Sequence, residues 1–166
     1  MADVVRVYTF KAGLLSRVAH DLCLEVGEFS IERGEGGSVR AEFDPSSLSV
    51  RGVMRGERLD SRALSRSDQA KIVETIRREL LHTRRHPIVT FVGTAEERES
   101  RLRVKGDLEL AGRRRPLAFT LARQGDRLHA RVTLQPSEFG IAPYKALAGA
   151  IRLQDRVVVE LDLAAE

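Results

Sequence analysis

Residues 101–134 read RLRVKGDLELAGRRRPLAFTLARQGDRLHARVTL, three alternating runs separated by two short polar turns. Leu102, Val104, Leu108 and Leu110 fall on one side of the first run, with Arg103, Lys105, Asp107 and Glu109 on the other. Gly112-Arg113-Arg114 turns the chain, and Leu117, Phe119 and Leu121 alternate in the second run. After Gln124-Gly125-Asp126, Leu128, Ala130, Val132 and Leu134 alternate with His129, Arg131 and Thr133. A period of two is the signature of a strand with one buried and one wet face. Turns this short join only antiparallel neighbours.

The same pattern extends outward in both directions. Towards the C-terminus, Val157, Val159, Leu161 and Leu163 alternate with Glu160 and Asp162. Towards the N-terminus, His86 to Thr94 is rich in β-branched residues and reads as a strand. Val39, Ala41 and Phe43 start another, which Pro45 breaks before Leu48 and Val50. Leu22, Leu24 and Val26 continue into Phe29 and Ile31, and the apolar parity flips at Gly27-Glu28. That flip predicts a β-bulge or a sharp bend. Val5 and Val7 mark the opening strand.

One helix interrupts the series. Ser65-Arg66-Ser67-Asp68 supplies capping groups, and Ile72, Val73, Ile76, Leu80 and Leu81 follow at helical spacing. The spacing predicts an amphipathic helix over about 67–83, ending before His86-Pro87 and covering an open end or edge of the sheet. The expectation is therefore all-β: residues 1–166 as one domain, an eight-stranded antiparallel barrel with a single helix. A barrel of this size is either filled by its own side chains or holds one small ligand. Periodicity does not choose between the two.

Composition narrows the function. The net charge of +4 suggests nucleic acid, but aromatics are only 5% and Trp is absent, so the stacking platforms of single-strand binders are missing. Arginines also alternate with Asp and Glu, as on a solvated surface, and no nucleic-acid partner is expected. Cys23 is the only cysteine, so no internal disulfide forms. The N-terminus carries no basic region followed by an apolar run, and no stretch approaches a membrane span, which predicts a cytoplasmic protein with no transmembrane segment.

No convincing catalytic or metal constellation emerges, and no enzyme activity or cofactor is expected. His20 and Asp21 are adjacent, and adjacent strand residues point to opposite faces, so they do not pair as base and orienter. His82 and His86 have a helical metal spacing, but Pro87 ends the helix there and no third ligand is evident, so no metal is expected. Ser16, Ser46, Ser47 and Ser137 lie outside any nucleophile-elbow sequence, and Gly34-Glu35-Gly36-Gly37 precedes a strand rather than a phosphate-binding helix. The apolar, small-residue stretch within 140–155 reads as a packed plug for one barrel end or as a functional loop, with Tyr144 and Lys145 placed to meet a polar head group.

Three segments carry a resemblance. His86-Pro-Ile-Val-Thr-Phe91 is similar to a P-x-I-x-F strand, Leu108 to Pro116 to an L-T-I-x-G-x-x-x-P hairpin, and Ser137-Glu-Phe-Gly-Ile141 to a D-F-G-I segment before the last strand. In order and spacing they resemble the YceI-like family of lipid-binding proteins over residues 5 to 164. The resemblance implies a lipocalin-like barrel with a tunnel for a polyisoprenoid or other long-chain amphiphile, and homodimers. It places Phe91, Leu108, Leu110, Phe119 and Ile141 near the lining, and the inward faces read above add Leu22, Leu24 and Leu121. His20, Tyr144 and Lys145 stand as head-group contacts. The R-D-x-H segment of the family is absent, replaced by the helix around Ile72 to Leu81, so ligand identity does not transfer.

Overall fold

A computed structural model of the chain describes residues 2–12, 20–146 and 151–165. In chain order the strands are β1 (Val4–Lys11), β2 (Leu22–Val26), β3 (Phe29–Arg33), β4 (Ser38–Phe43), β5 (Leu48–Arg55), β6 (Arg58–Asp60), β7 (Val89–Arg98), β8 (Arg101–Leu110), β9 (Arg113–Gln124), β10 (Arg127–Leu134), β11 (Lys145–Ala146) and β12 (Ile151–Ala164). All pairings are antiparallel, in the order β3-β4-β7-β8-β9-β10-β12-β1-β2-β5-β6, with β11 on β12.

The sheet curls into a barrel because two of its strands are bent. β2 runs into β3 through Gly27-Glu28, and β4 runs into β5 through a 3₁₀ turn at Pro45–Ser47. The two stay joined across the bend, where Gly27 N–H donates to Ser47 O (3.2 Å) and Asp44 N–H donates to Glu28 O (2.9 Å). The Ser47 hydroxyl accepts the Glu28 N–H at 2.9 Å, and Asp44 Oδ1 accepts the Ser46 N–H at 2.9 Å, so the backbone groups freed by the bend find partners. One half of this bent hairpin pairs with β1 and the other with β7. Counting each bent strand once gives the eight-membered ring read from the sequence; the twelve segments found here arise where the parity flip bends it and where β6 and β11 add short edges.

The helix differs more. α1 (Arg66–Thr75) is capped by the Ser65 hydroxyl on the Asp68 N–H, as the sequence indicates. It then widens into a π turn over Ile76–Leu80, with Leu81 N–H bonded to Ile76 O (2.8 Å). A π turn adds one residue to the circuit and shifts the apolar stripe. Ile76, Leu80 and Leu81 thereby all face the barrel interior. β7 starts at Val89 rather than His86, since Pro87 has no N–H to give the ladder.

Packing follows the alternation. Val5, Leu24, Phe91, Leu102, Val104, Leu108, Leu121 and Leu128 are buried inside, and the outer face carries cross-strand ion pairs such as Arg131–Glu160 and Arg123–Glu97, both at 2.8 Å. A glycine pair, Gly93 opposite Gly106, faces inward on β7 and β8. A Cβ on Gly106 would come within 2.3 Å of Val92 O and 2.7 Å of both Gly93 Cα and Phe91 Cζ, so the glycine lets the β7 backbone and the Phe91 ring close in. Arg127, 7% exposed, ties the termini together through Asp162 Oδ1 (2.9 Å) and Ala2 O (3.0 Å).

Candidate functional site

The barrel is not filled. A cavity of about 560 Å³ runs through its interior, within the roughly 300–1,000 Å³ of small-molecule sites. Its wall draws on nearly every strand of the ring and on the end of the helix, and it is overwhelmingly aliphatic and aromatic. Phe91 and Phe119 meet across the β7–β9 wall with ring centroids 5.9 Å apart. Of the residues singled out from the sequence, Leu24, Phe91, Leu108, Leu110, Phe119, Leu121, Ile141 and Tyr144 lie on this wall.

Three do not. Leu22 is buried and keeps the inward parity of Leu24, opposite Thr9 on β1, but lies outside the wall. His20 precedes β2 and stays off the cavity, and Lys145 is exposed, because alternation along β11 sends it away from the interior that Tyr144 faces. The sequence reading also left out wall positions whose alternation it had recognised: Val5 and Val7 on β1, Val132 on β10, and Val159 and Leu161 on β12. Thr9 and Gln154 are further polar wall residues; Thr9 interrupts the apolar alternation of β1, whereas Gln154 sits at a polar-parity position of β12 and gives no such signal.

The seam between β9 and β10 is open. Their ladder holds only from Gln124↔Arg127 to Ala122↔His129, after which the strands part. The gap is closed by the segment that follows β10, a 3₁₀ turn at Pro136–Phe139 continuing to Ile141. Phe139 and Ile141 are buried, and Pro136 and Ile141 reach the cavity. Two anchors hold this plug. Arg115 Nε on β9 donates to Glu138 O at 3.0 Å. On the other side Asp155 accepts the Ser137 N–H (2.9 Å), Gln135 Nε2 (3.0 Å) and the Ser137 hydroxyl. These donors, the Ser137 hydroxyl foremost, hold the Asp155 carboxyl below its ordinary range. Gly140 adopts the left-handed φ of 75° needed to end the turn, and Arg113 packs where a side chain would stand. The D-F-G-I-like segment is thus the plug, contributing through Phe139, Gly140 and Ile141 rather than through the Glu138 side chain.

The charges at the wall are few and mostly engaged. Asp3 Oδ1 accepts the Ala164 N–H at 2.8 Å, and Asp44 serves the bend of the hairpin. Arg33 stands at the end of β3, where the termini lie. Cys23 is 1% exposed, and burial pushes its thiol up. Asp21 Oδ1 accepts the Lys11 N–H at 2.8 Å and so serves the backbone. His82 has a φ of 47° at the end of the helix, and among the described residues no three His, Cys, Asp or Glu side chains gather as metal ligands. No helix among them is long and apolar enough to cross a membrane.

Comparison with known proteins agrees with this architecture. Residues 15–165 match the family model of the YceI-like domain. Among solved structures, Burkholderia cenocepacia BcnA superimposes with a TM-score of 0.65 at 13% identity, covering 99% of this chain and 96% of that one. A polyisoprenoid binding domain from Saccharophagus degradans, implicated in plant cell wall breakdown, gives 0.63 at 10% identity, covering 96% and 91%. The Campylobacter jejuni YceI protein gives 0.51 at 10% identity, covering 86% and 84%. At these identities the likeness is one of fold. No protein of curated function matches the sequence.

Proposed function

We propose, starting from the fact that the chain belongs to the YceI-like domain family, that its barrel binds one long-chain apolar or amphiphilic molecule without transforming it. The ligand class is a polyisoprenoid, an isoprenoid quinone or a fatty-acid-like chain, held for sequestration or transport. The observation that carries the reading is the interior cavity of about 560 Å³ with its almost wholly apolar wall. A barrel serving only as an interaction scaffold has no need of such a space, and its walls would be expected to meet. The polyisoprenoid binding of the Saccharophagus degradans domain supports the same class.

Burial of the chain supplies the affinity. A tail of about fifteen carbons gains about 12 kcal/mol at about 0.8 kcal/mol per methylene. Association costs of about 4 kcal/mol, at the low end of their range, leave a Kd of about 1 μM with no charged contact. In this reading Leu24, Phe91, Leu108, Leu110, Phe119, Leu121 and Ile141 are the ligand-contacting wall and Tyr144 stands near the head group. The homodimer expected from the resemblance belongs to the same proposal, and light scattering on the purified protein tests it.

Native mass spectrometry, followed by organic extraction, tests the binding role. A stoichiometric long-chain adduct is expected, or uptake of one added chain by the stripped protein. Leu108→Asp and Phe119→Asp should abolish uptake, since a carboxylate on the wall has no partner there. A folded variant that keeps full affinity would refute the assignment of the wall.

A further inference from the structure

On β3 the inward positions are Phe29, Ile31 and Arg33, and alternation gives the last of them to a cation. Its cross-strand neighbour is Val39 on β4, and Ile31, Arg33 and Val39 all lie on the cavity wall. Arg33 is the only cation among the described wall residues, and its guanidinium has no hydrogen-bond or ion-pair partner among the described residues. It is also exposed, as are Asp3 and Ala164 on the same wall, so the cavity reaches solvent here. β3 stands at one end of the strand order and pairs with β4 alone, so no ladder closes the ring beside it. A chain of contacts places this opening at the termini. The turn after β3 packs Gly37 against Ala95 O. Around the same rim Arg123 N–H donates to Ser100 O (2.8 Å), Ala165 N–H to Asp126 O (2.9 Å) and Arg127 Nη2 to Ala2 O (3.0 Å). Tyr144 sits at the other end, where its carbonyl accepts the Leu153 N–H (3.1 Å) beside the finish of β1.

We propose that Arg33 is an anchoring point for an anionic head group, a carboxylate or a phosphate, whose chain runs from it into the barrel. The inference rests on the apolar-ligand reading above and adds a second polar end, opposite Tyr144, with its own chemistry. A long arginine lays its methylenes on an apolar wall and keeps its guanidinium in water. That arrangement suits an amphiphile at a tunnel mouth. The chain beds inside against Ile31 and Val39, and the anion stays at the rim, where a planar fork fits two oxygens at once. The acids nearby serve elsewhere. Asp3 Oδ1 accepts the Ala164 N–H at 2.8 Å, Glu32 falls on the outer face opposite Arg40, and Glu35 is exposed in the turn that follows. An exposed cation adds little to affinity. Apolar burial therefore sets how tightly a chain binds, and Arg33 sets which head is favoured.

The test uses delipidated full-length protein and displacement of the neutral fluorophore N-phenyl-1-naphthylamine at neutral pH. The competitors share one chain: farnesoic acid, farnesyl phosphate, farnesol and farnesane. Arg33→Gln should weaken at least one of the two anions about fivefold and leave farnesol and farnesane within about twofold, while Arg33→Lys stays within about threefold of wild type for the anions. Raising the salt should erode anion binding in wild type but not in Arg33→Gln. Arg103→Gln, which removes the same charge from the outer face of β8, should change no ligand. Loss for one anion alone upholds the assignment and names the head as carboxylate or phosphate. Unchanged binding of both anions in Arg33→Gln, an equal loss for farnesane, or an equal effect of Arg103→Gln would each overturn the assignment of Arg33. Farnesane binding to wild type upholds the apolar-ligand reading whatever Arg33 does. Failure of all four chains to displace the fluorophore from wild type overturns that reading and the inference with it.

Discussion

The two seams that flank β9 are made from the same kind of sequence and end differently. Towards β8 the ladder runs unbroken from Arg101↔Ala122 to Leu110↔Arg113. Towards β10 it stops at Ala122↔His129, and the rest of the seam is closed by Phe139 and Ile141 from the plug. One wall is held by backbone hydrogen bonds, the other by side-chain packing and two anchors. A barrel can therefore be continuous to its side chains while being discontinuous to its backbone, and the second kind of wall is the one able to loosen locally.

The largest effect that would sharpen this contrast is expected at Phe139. Phe139→Ala should cost about 3 kcal/mol in a urea titration, as for a core aromatic. A cost below about 1 kcal/mol would mean the plug is a surface loop and the seam is closed by something else. On the unbroken side, Gly106→Ala should cost about 3 kcal/mol, because its Cβ would stand 2.3 Å from Val92 O and 2.7 Å from both Gly93 Cα and the Phe91 ring. Gly106→Ala combined with Phe91→Leu should recover only a small part of that loss, and full recovery would place the strain in the ring rather than in the neighbouring backbone.

Asp155→Ala should act locally. Amide exchange of residues 136–141 should quicken several-fold while β8 and the start of β9 keep their protection. Uniform quickening across the barrel would erase the distinction between the two seams. The same carboxylate predicts a pH dependence. Its folded value lies below the ordinary 3.8, so the anchor is at full strength above that pH and is lost as pH falls through the lowered value. The Ser137 amide resonance should follow this titration with a midpoint under 3.8, and a midpoint at or above it would contradict the hydrogen bonds drawn here. Arg115→Ala, which removes one exposed bond to Glu138 O, should produce the smallest change, within about 1 kcal/mol.

Much of the wall was legible before any coordinates. Alternation at Leu102, Val104, Leu108 and Leu110 assigns a face because side chains on a strand repeat every two residues, and nothing tertiary can shift one without shifting all. The parity flip at Gly27-Glu28 located the bend for the same reason. Leu22 shows where this reasoning stops: it keeps the inward parity of Leu24 and is buried, yet it is not on the cavity wall. His20 and Lys145 were assigned to a head group from residue type and nearness in sequence, which carry no direction. Thr9 was visible as a polar residue in an apolar series, yet only the environment shows that its hydroxyl has no partner.

What the sequence determined alone, then, was local and periodic: strands with one apolar face, short antiparallel turns, a capped helix near its predicted place, and the motif order shared with the YceI-like family. What the tertiary structure decided depended on contacts between residues distant in the chain. Those contacts set whether the ring closes through a bent hairpin and whether β9 and β10 stay paired. They also set whether the helix ends in a π turn over the opening and whether the interior is filled or empty. A two-residue period fixes the face of a side chain but not the distance to the face opposite, and that distance separates a solid core from a cavity.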